Sequence, residues 1–363
     1  MADYEALAKP FRPDWEGLIA NIRGEGTPRR VFHAELFHDA EIMEAIIDRF
    51  DLDAGIAADD PNGDRKRLIA LNRFCGQDYV KAGLNVELTF HRSAAADTAP
   101  LKRAGGREFQ DSHTGPIMSW ADFERFEWPD VTPAHLAADL EWYQENLPDD
   151  MCIVGGLTGH FCEEVTWLMG YETFCYALFE QPDLVKAIAE RLREFYVAQV
   201  KRYLEYDRVR LIWASDDMGF KTGLFFDRGN MRRLVLDSHK ALARLAHEAG
   251  RLYLLHCCGN LHEIIDDLVN DVRIDAKHSF EDTIEDIREV KHTYGQRIAL
   301  IGGIDVDFLC RSSAEAIRAR TRDTINTCQV GGRFCLGTGN TVANYIPLDN
   351  YVTMLDEGRR TAG

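Results

Sequence analysis

A rhythm constrains this chain more than any single residue. Short apolar runs of strand length alternate with amphipathic stretches of helix length from residue 31 onward. The candidate strands are 31–35, 79–85, 152–157, 211–215, 252–257, 274–278, 298–302 and 334–337, eight in all. Most are continuously apolar, the pattern of strands covered on both faces by crossover helices in a parallel sheet. Candidate helices fall between them, at 41–50 behind Asp39, 183–206 behind Pro182, 231–249, 261–269, 284–291 and 314–327. Eight strands alternating with helices in 363 residues predict a (β/α)8 TIM barrel of the α/β class.

Two segments stand outside the rhythm. Residues 1–29 read as a helical N-terminal extension. Residues 87–150 are polar and rich in Gly, Asp and Pro. They read as an insertion after the second strand, with a small hairpin around 109–118 and then a helical stretch. Insertions of this size often wall a binding cleft. The expectation is one barrel domain over 1–363.

Composition narrows the function classes. A net charge of −18 opposes a nucleic-acid partner, which calls for a basic face. No run approaches the ~18 apolar residues that span a bilayer, and the first residues lack a signal-like apolar core. Nine cysteines at irregular spacing predict reduced thiols in the cytoplasm rather than a disulfide framework. Cys175, Cys310 and Cys328 read as small buried hydrophobes.

The fifth candidate strand carries the most specific chemistry, Leu254-Leu255-His256-Cys257-Cys258-Gly259-Asn260. Residues i and i+2 of a strand share a face, so His256 and Cys258 can converge while Cys257 points away. Imidazole and thiolate together are a zinc-type ligand set. Other strand ends add polar groups: His33, Glu35, His38 and Asp39 after the first, and Asn85 after the second. His160 follows the third strand, Asp216-Asp217 the fourth, His278 and Glu281 the sixth, Asp305 the seventh and Asn340 the eighth. A barrel needs none of these for stability, and chemistry in this fold sits at the C-terminal rim. Paired carboxylates such as Asp216-Asp217 can line a pocket, one with a raised pKa as general acid. Capping is the plainer role for them and for Asp39. Glu281 can serve as a helix-dipole partner and His278 as a core histidine. Trp167, Met169 and Tyr171 read as core. Gly337-Thr338-Gly339 is not a dinucleotide fingerprint, since no βαβ unit follows it.

These motifs, in order, resemble the uroporphyrinogen decarboxylase superfamily, which includes cobamide-dependent methyltransferases. The resemblance runs along nearly the whole chain. It rests on Arg23-Gly24-Glu25, Pro28-Arg29-Arg30-Val31, Asp216-Asp217-Met218-Gly219, His256-x-Cys258-Gly259-Asn260 and Gly302-Gly303-Ile304-Asp305. Gly337-Thr338-Gly339-Asn340 followed by Pro347-Leu348-Asp349-Asn350 completes it. In the decarboxylases the resemblance implies an Arg-rich segment after strand one and a catalytic Asp after strand two. Here the first reads Phe32-His33-Ala34-Glu35-Leu36-Phe37-His38-Asp39 and the second position is Asn85. The methyltransferase branch implies zinc held by His-x-Cys on strand five, a second Cys near the end of strand eight and a nearby carboxylate after strand six. His256, Cys258 and Glu281 match as metal ligands. Alignment on Pro347 puts Asn340 where the second Cys would be; Cys335 lies roughly 16 Å farther back at ~3.3 Å per residue, inside the barrel.

The resemblance therefore implies a cytoplasmic methyltransferase that moves a methyl group between a corrinoid (cobamide), carried by a partner protein or free, and a heteroatom of a small methylated substrate, with zinc assistance. Asp216 and Asp217 are its candidate catalytic residues. Glu35, His38, Asn85, His160, His278, Asp305 and Asn340 are its candidate pocket residues. Two alternatives stay open: a metal-free decarboxylase or lyase on a tetrapyrrole or smaller carboxylate, and a non-catalytic corrinoid or tetrapyrrole binder.

Overall fold

The computed structural model describes residues 4–360. Its parallel strands are β1 (Phe32–His33), β2 (Tyr79–Ala82), β3 (Cys152–Thr158), β4 (Val209–Ser215), β5 (Leu252–His256), β6 (Ala276–His278), β7 (Ala299–Ile304) and β8 (Phe334–Thr338). They form one curled eight-stranded sheet in the order β1-β8-β7-β6-β5-β4-β3-β2. Helices cover its outer face. This is the (β/α)8 barrel the alternation predicts. Each expected strand is present, shifted by at most a few residues.

The sheet order leaves β1 and β2 at its two ends, and side chains bridge that seam. The Tyr79 hydroxyl accepts from the Glu35 backbone N–H at 3.2 Å and donates to the Glu35 carbonyl at 3.3 Å. The Lys81 ammonium donates to the carbonyls of Glu35 and Leu36.

Period-2 alternation sorts the strand side chains into two cores. Inward-facing Phe32, Tyr79, Val154, Trp213, Leu254 and Ile301 belong to a cluster that fills the barrel. The helix Trp15–Arg23 closes its N-terminal end, adding Leu18 and Ile22 to the same cluster. Asp14 caps that helix by accepting from Gly17 N–H at 2.9 Å, and Gly24 ends it at φ +72°. A side chain at Gly24 would strike Arg333 as well as strain the backbone. Outward-facing Val80, Ile153, Ile212, Tyr253, Leu255 and Leu300 pack against the helices. Cys257 is in this outer layer and Cys335 is in the barrel interior, as their registers predict. All nine cysteines are unpaired.

Two local expectations are corrected. The hairpin lies at Arg92–Ala95 and Arg107–Gln110, not around 109–118. The Gly105-Gly106 pair, at φ +90° and +82°, turns the chain just before the second hairpin strand. Residues 111–118 instead return to the barrel, where Ile117 N–H reaches the Leu168 carbonyl at 2.8 Å. The helix expected over 261–269 is a turn, a short helical segment Ile265–Asp267 and a wide π turn Leu268–Val272. Leu261, Ile264, Ile265 and Leu268 are still buried, so the apolar spacing reflected burial without a continuous helix. Among the described residues no helix is long and apolar enough to cross a membrane.

The plugging helix should matter to stability far more than the surface. Leu18→Ala is expected to cost about 2–5 kcal/mol in urea denaturation, the range for a buried leucine. Phe179→Ala, at a side chain 85% exposed, should stay within about 0.5 kcal/mol of the parent.

Candidate functional site

The inward register that places Leu252 and Leu254 in the barrel interior continues upward to His256 and Cys258. At the mouth they meet Asp217, which follows β4. The ligand atoms of Asp217, His256 and Cys258 all lie within 4.8 Å of one another. His256 Nε2 is 3.4 Å from Cys258 Sγ and 3.4 Å from Asp217 Oδ1. In a tetrahedral zinc site, with Zn–S about 2.3 Å and Zn–N or Zn–O about 2.0–2.1 Å, neighbouring ligand atoms stand about 3.3–3.6 Å apart. Both separations fit those edges, so these three side chains suit a zinc ion with one open position.

A relay fixes which His256 nitrogen faces the group. His278 Nε2 lies 3.1 Å from the Thr338 carbonyl, which can only accept, so that nitrogen carries the proton. Burial, then the neighbouring His256, pushes the His278 pKa well down and keeps the ring neutral. Its Nδ1 is therefore an acceptor, and His256 Nδ1, 2.7 Å away, donates to it. With Nδ1 committed to His278, it is Nε2 of His256 that faces Cys258 and Asp217, and a bound cation would take its lone pair in place of any proton there. This is how a surrounding hydrogen bond sets the tautomer of a metal-binding histidine.

The other members are tuned as well. Burial, and then the Asp217 charge, pushes the Cys258 thiol up, so a cation is needed to make it a thiolate. Burial works to raise Asp217, but the hydrogen bond and charge of His256 and the Cys258 N–H hold it below the ordinary carboxylate value. Asn340 Nδ2 donates to Cys258 Sγ at 3.2 Å. The eighth-strand position aligned with a family cysteine thus reaches the sulfur through an amide.

The remaining candidates divide by place. Asp216 is fully buried; it accepts from the N–H groups of Cys162 and Glu163 and pairs with His239 Nε2 at 2.8 Å. It caps the helix Phe161–Met169 and does not reach the mouth. Glu281 stands outside the three-atom group, 3.9 Å from Lys221 Nζ. It lines a cavity of about 720 Å³ together with Asp305 and Asn340. Asp305 also caps the following helix through Phe308 N–H. His38 Nε2 meets the Tyr351 hydroxyl at 2.7 Å. Asn85 and His160 line a second cavity of about 480 Å³ on the other side of the mouth. Ser215 lines it too, and is paired in register with His256. His33 faces outward, against the helices. Of the three expected in the core, Met169 is buried, whereas Trp167 and Tyr171 are half-buried, and Trp167 lines the second cavity.

Glu35 lies within the barrel wall. Its carboxylate accepts from Thr338 N–H at 3.0 and 3.1 Å and from the Thr338 hydroxyl at 2.6 Å. Burial raises it to about 7 against hydrogen bonds that lower it. Lys81, which the sequence reading missed, stands 4.1 Å from the Trp213 ring centroid, and burial lowers it to about 7. Glu163 and Glu164 were also missed. They occupy the first turn of the helix after β3, where acidic residues ordinarily signal only the helix dipole.

Residues 111–361 match the family model described as uroporphyrinogen decarboxylase (URO-D). The chain belongs to this family. The matched segment spans β3 to β8 and every member of the metal-type group; β1 and β2 precede it. A solved structure of a methyltransferase from Methanosarcina mazei covers 95% of this chain and 97% of its own length, with 19% identity and a TM-score of 0.68. That likeness supports the URO-D fold across the first two strands as well. A putative vitamin-B12 independent methionine synthase from Listeria monocytogenes overlaps 91% of this chain and 95% of its own length, with 12% identity and a TM-score of 0.49. A search of curated proteins finds no sequence match.

Glu35 gives this family member a pH-dependent stability. Its folded value of about 7 is above the ordinary 4.5, so between these the folded state holds a proton the unfolded chain has lost. The resulting stabilisation is complete below pH 4.5 and is lost as pH rises through about 7. Lys81 acts with the opposite slope, from about 7 up to 10.5. Glu35→Gln should remove the first slope and, by taking away the charge that raises Lys81, extend the second to lower pH. Relative to the parent, the variant should gain on the order of a few kcal/mol between pH 5 and pH 8 in urea melts. An unchanged difference would refute this assignment.

Proposed function

We propose that this chain is a methyltransferase that holds zinc at the barrel mouth through His256, Cys258 and Asp217. It moves a methyl group between a corrinoid (cobamide) and a heteroatom of a small substrate. The observation that carries this reading is the pair of 3.4 Å edges at His256 Nε2, with the tautomer set by His278 and Thr338. Asp217 takes the ligand role first expected of Glu281, which remains a wall residue of the adjoining cavity. A zinc ion bound there would supply Lewis acidity, favouring a substrate thiolate or polarising an ether or amine leaving group.

The protein's own residues do the positioning. His278 orients the His256 ring. Asn340 donates to the Cys258 sulfur and withdraws electron density from it, moderating its donor strength. Trp213 packs beneath His278 at 5.9 Å between ring centroids, with Lys81 over it, so the orienting histidine rests on a buried layer. The two cavities adjoin the group through Ser215 and Asn340, and Asp217 is its most exposed charged member at 35%, the side from which a corrinoid would approach. The corrinoid is expected on a separate partner protein.

Decarboxylation of a polycarboxylate is disfavoured by the lining of the second cavity. Glu87, Glu163 and Glu164 face it with a single arginine, Arg92, and His160, which is already paired with Glu163, where such a substrate would need several free cations. Asn85 also lines it and cannot ionise.

Metal analysis tests the reading. The purified protein should contain one zinc per chain, and His256→Ala should lose it. His278→Ala should keep the fold and weaken zinc binding about 10–100-fold in chelator competition, the usual effect of removing an orienting partner. Adding zinc-loaded protein to a methylated cobamide and an acceptor thiol should change the corrinoid absorbance. A folded protein that binds no zinc would sink the proposal.

A further inference from the structure

The second cavity has a chemistry that the metal group does not explain. Its volume is about 480 Å³. Electron-rich rings form much of its wall: Phe90 and Trp167 meet edge to face at 5.5 Å between centroids, and Phe195 and Tyr196 at 5.1 Å. Among these rings stand two carboxyl groups. Glu163 is matched by His160, whose Nδ1 lies 3.0 Å from its Oε2. Glu164 has no ion-pair partner of its own; the His160 charge and the Tyr196 hydroxyl lower its carboxyl, but less than burial raises it. It is only 6% exposed, and its Oε2 is buried without a hydrogen-bond partner. A buried acceptor left in this state is costly unless something donates to it. Burial accordingly raises the Glu164 carboxyl to about 8, the direction a nearby cation would reverse. The other acidic and basic lining residues, Glu87 and Arg92, lie at the exposed lip, where Arg92 pairs with Glu108.

We propose that this cavity binds an N-methylated ammonium group bearing an N–H, which donates to the Glu164 carboxyl while its methyl groups lie against the Trp167, Phe90 and Tyr196 rings. A buried carboxyl with an unmet acceptor selects a cationic donor, and aromatic faces attract a cation while tolerating methyl groups. An anion would meet two carboxyls, and a plain hydrocarbon would leave Glu164 unmet. The cavity reaches the metal group through Ser215, the register partner of His256. The inference names the substrate class for the methyltransferase reading and rests on that reading for its purpose, though not for binding itself.

Calorimetry on the full-length, zinc-loaded protein tests binding without turnover. The probes are N,N-dimethylethanolamine, protonated at neutral pH, and 3-methylbutan-1-ol, its neutral isostere. The ammonium probe is expected to bind at least about tenfold more tightly. Glu164→Gln should bring the two within about twofold, and Trp167→Leu should weaken the ammonium probe several-fold. Near-UV circular dichroism and zinc content serve as fold controls for both variants. Equal affinities in the parent, no binding of either probe at millimolar concentration, or discrimination that survives Glu164→Gln overturns the proposal. Zinc present without discrimination defeats this inference alone. Discrimination without zinc defeats the metal-dependent function and leaves this site standing.

Discussion

The hydrogen bond between the His256 and His278 rings, 2.7 Å long, organises the barrel mouth. It exists because β5 and β6 are parallel neighbours with these two residues in register. Its direction comes from farther round the barrel, where β8 offers the Thr338 carbonyl to His278. Three strands therefore cooperate to aim one lone pair. Thr338 is itself held from β1 side by the Glu35 carboxylate, so a buried acid in the wall is linked through one threonine to the orientation of the ring at the mouth. Close packing gives these groups little freedom to reorient separately.

The barrel was legible in the sequence because strands buried on both faces leave a continuous apolar signature that few other structures mimic. The sharing of one face by His256 and Cys258 was legible for the same reason, since period 2 needs no tertiary knowledge. Cys257 and Cys335 followed from that register as well. The third member of the group was less accessible. Asp216 and Asp217 are adjacent and chemically identical, and only the path of the chain after β4 turns one down onto a helix N-terminus and the other up to the mouth. Glu281 matched by position along the chain, but the loop after β6 directs it toward Lys221 and a side cavity.

Lys81 was hidden by its neighbours. In Tyr79–Ala82 a single lysine reads as the solvent-facing residue of an edge strand, whereas here it points into the barrel and over Trp213. Glu163 and Glu164 were hidden by a different ambiguity, because acidic first turns are routine in helices. In the hairpin, the glycine pair marked a turn correctly, but the strands flanking it have exposed, weakly patterned side chains, and period alone could not fix their register.

The seam between β1 and β2 has a consequence for how the barrel can move. Elsewhere round the sheet, parting two strands means breaking a backbone ladder. At the seam the links are side-chain groups: a tyrosine hydroxyl, a lysine ammonium and the Arg30–Asp78 ion pair just below them. Opening there requires side-chain rotations and leaves every ladder intact. The seam is thus the place where the ring is closed by side chains and not by a ladder. It sits just before the long segment that joins β2 to β3, so the part of the second cavity's wall formed by residues 83–92 hangs from a strand whose other edge is held by side chains alone.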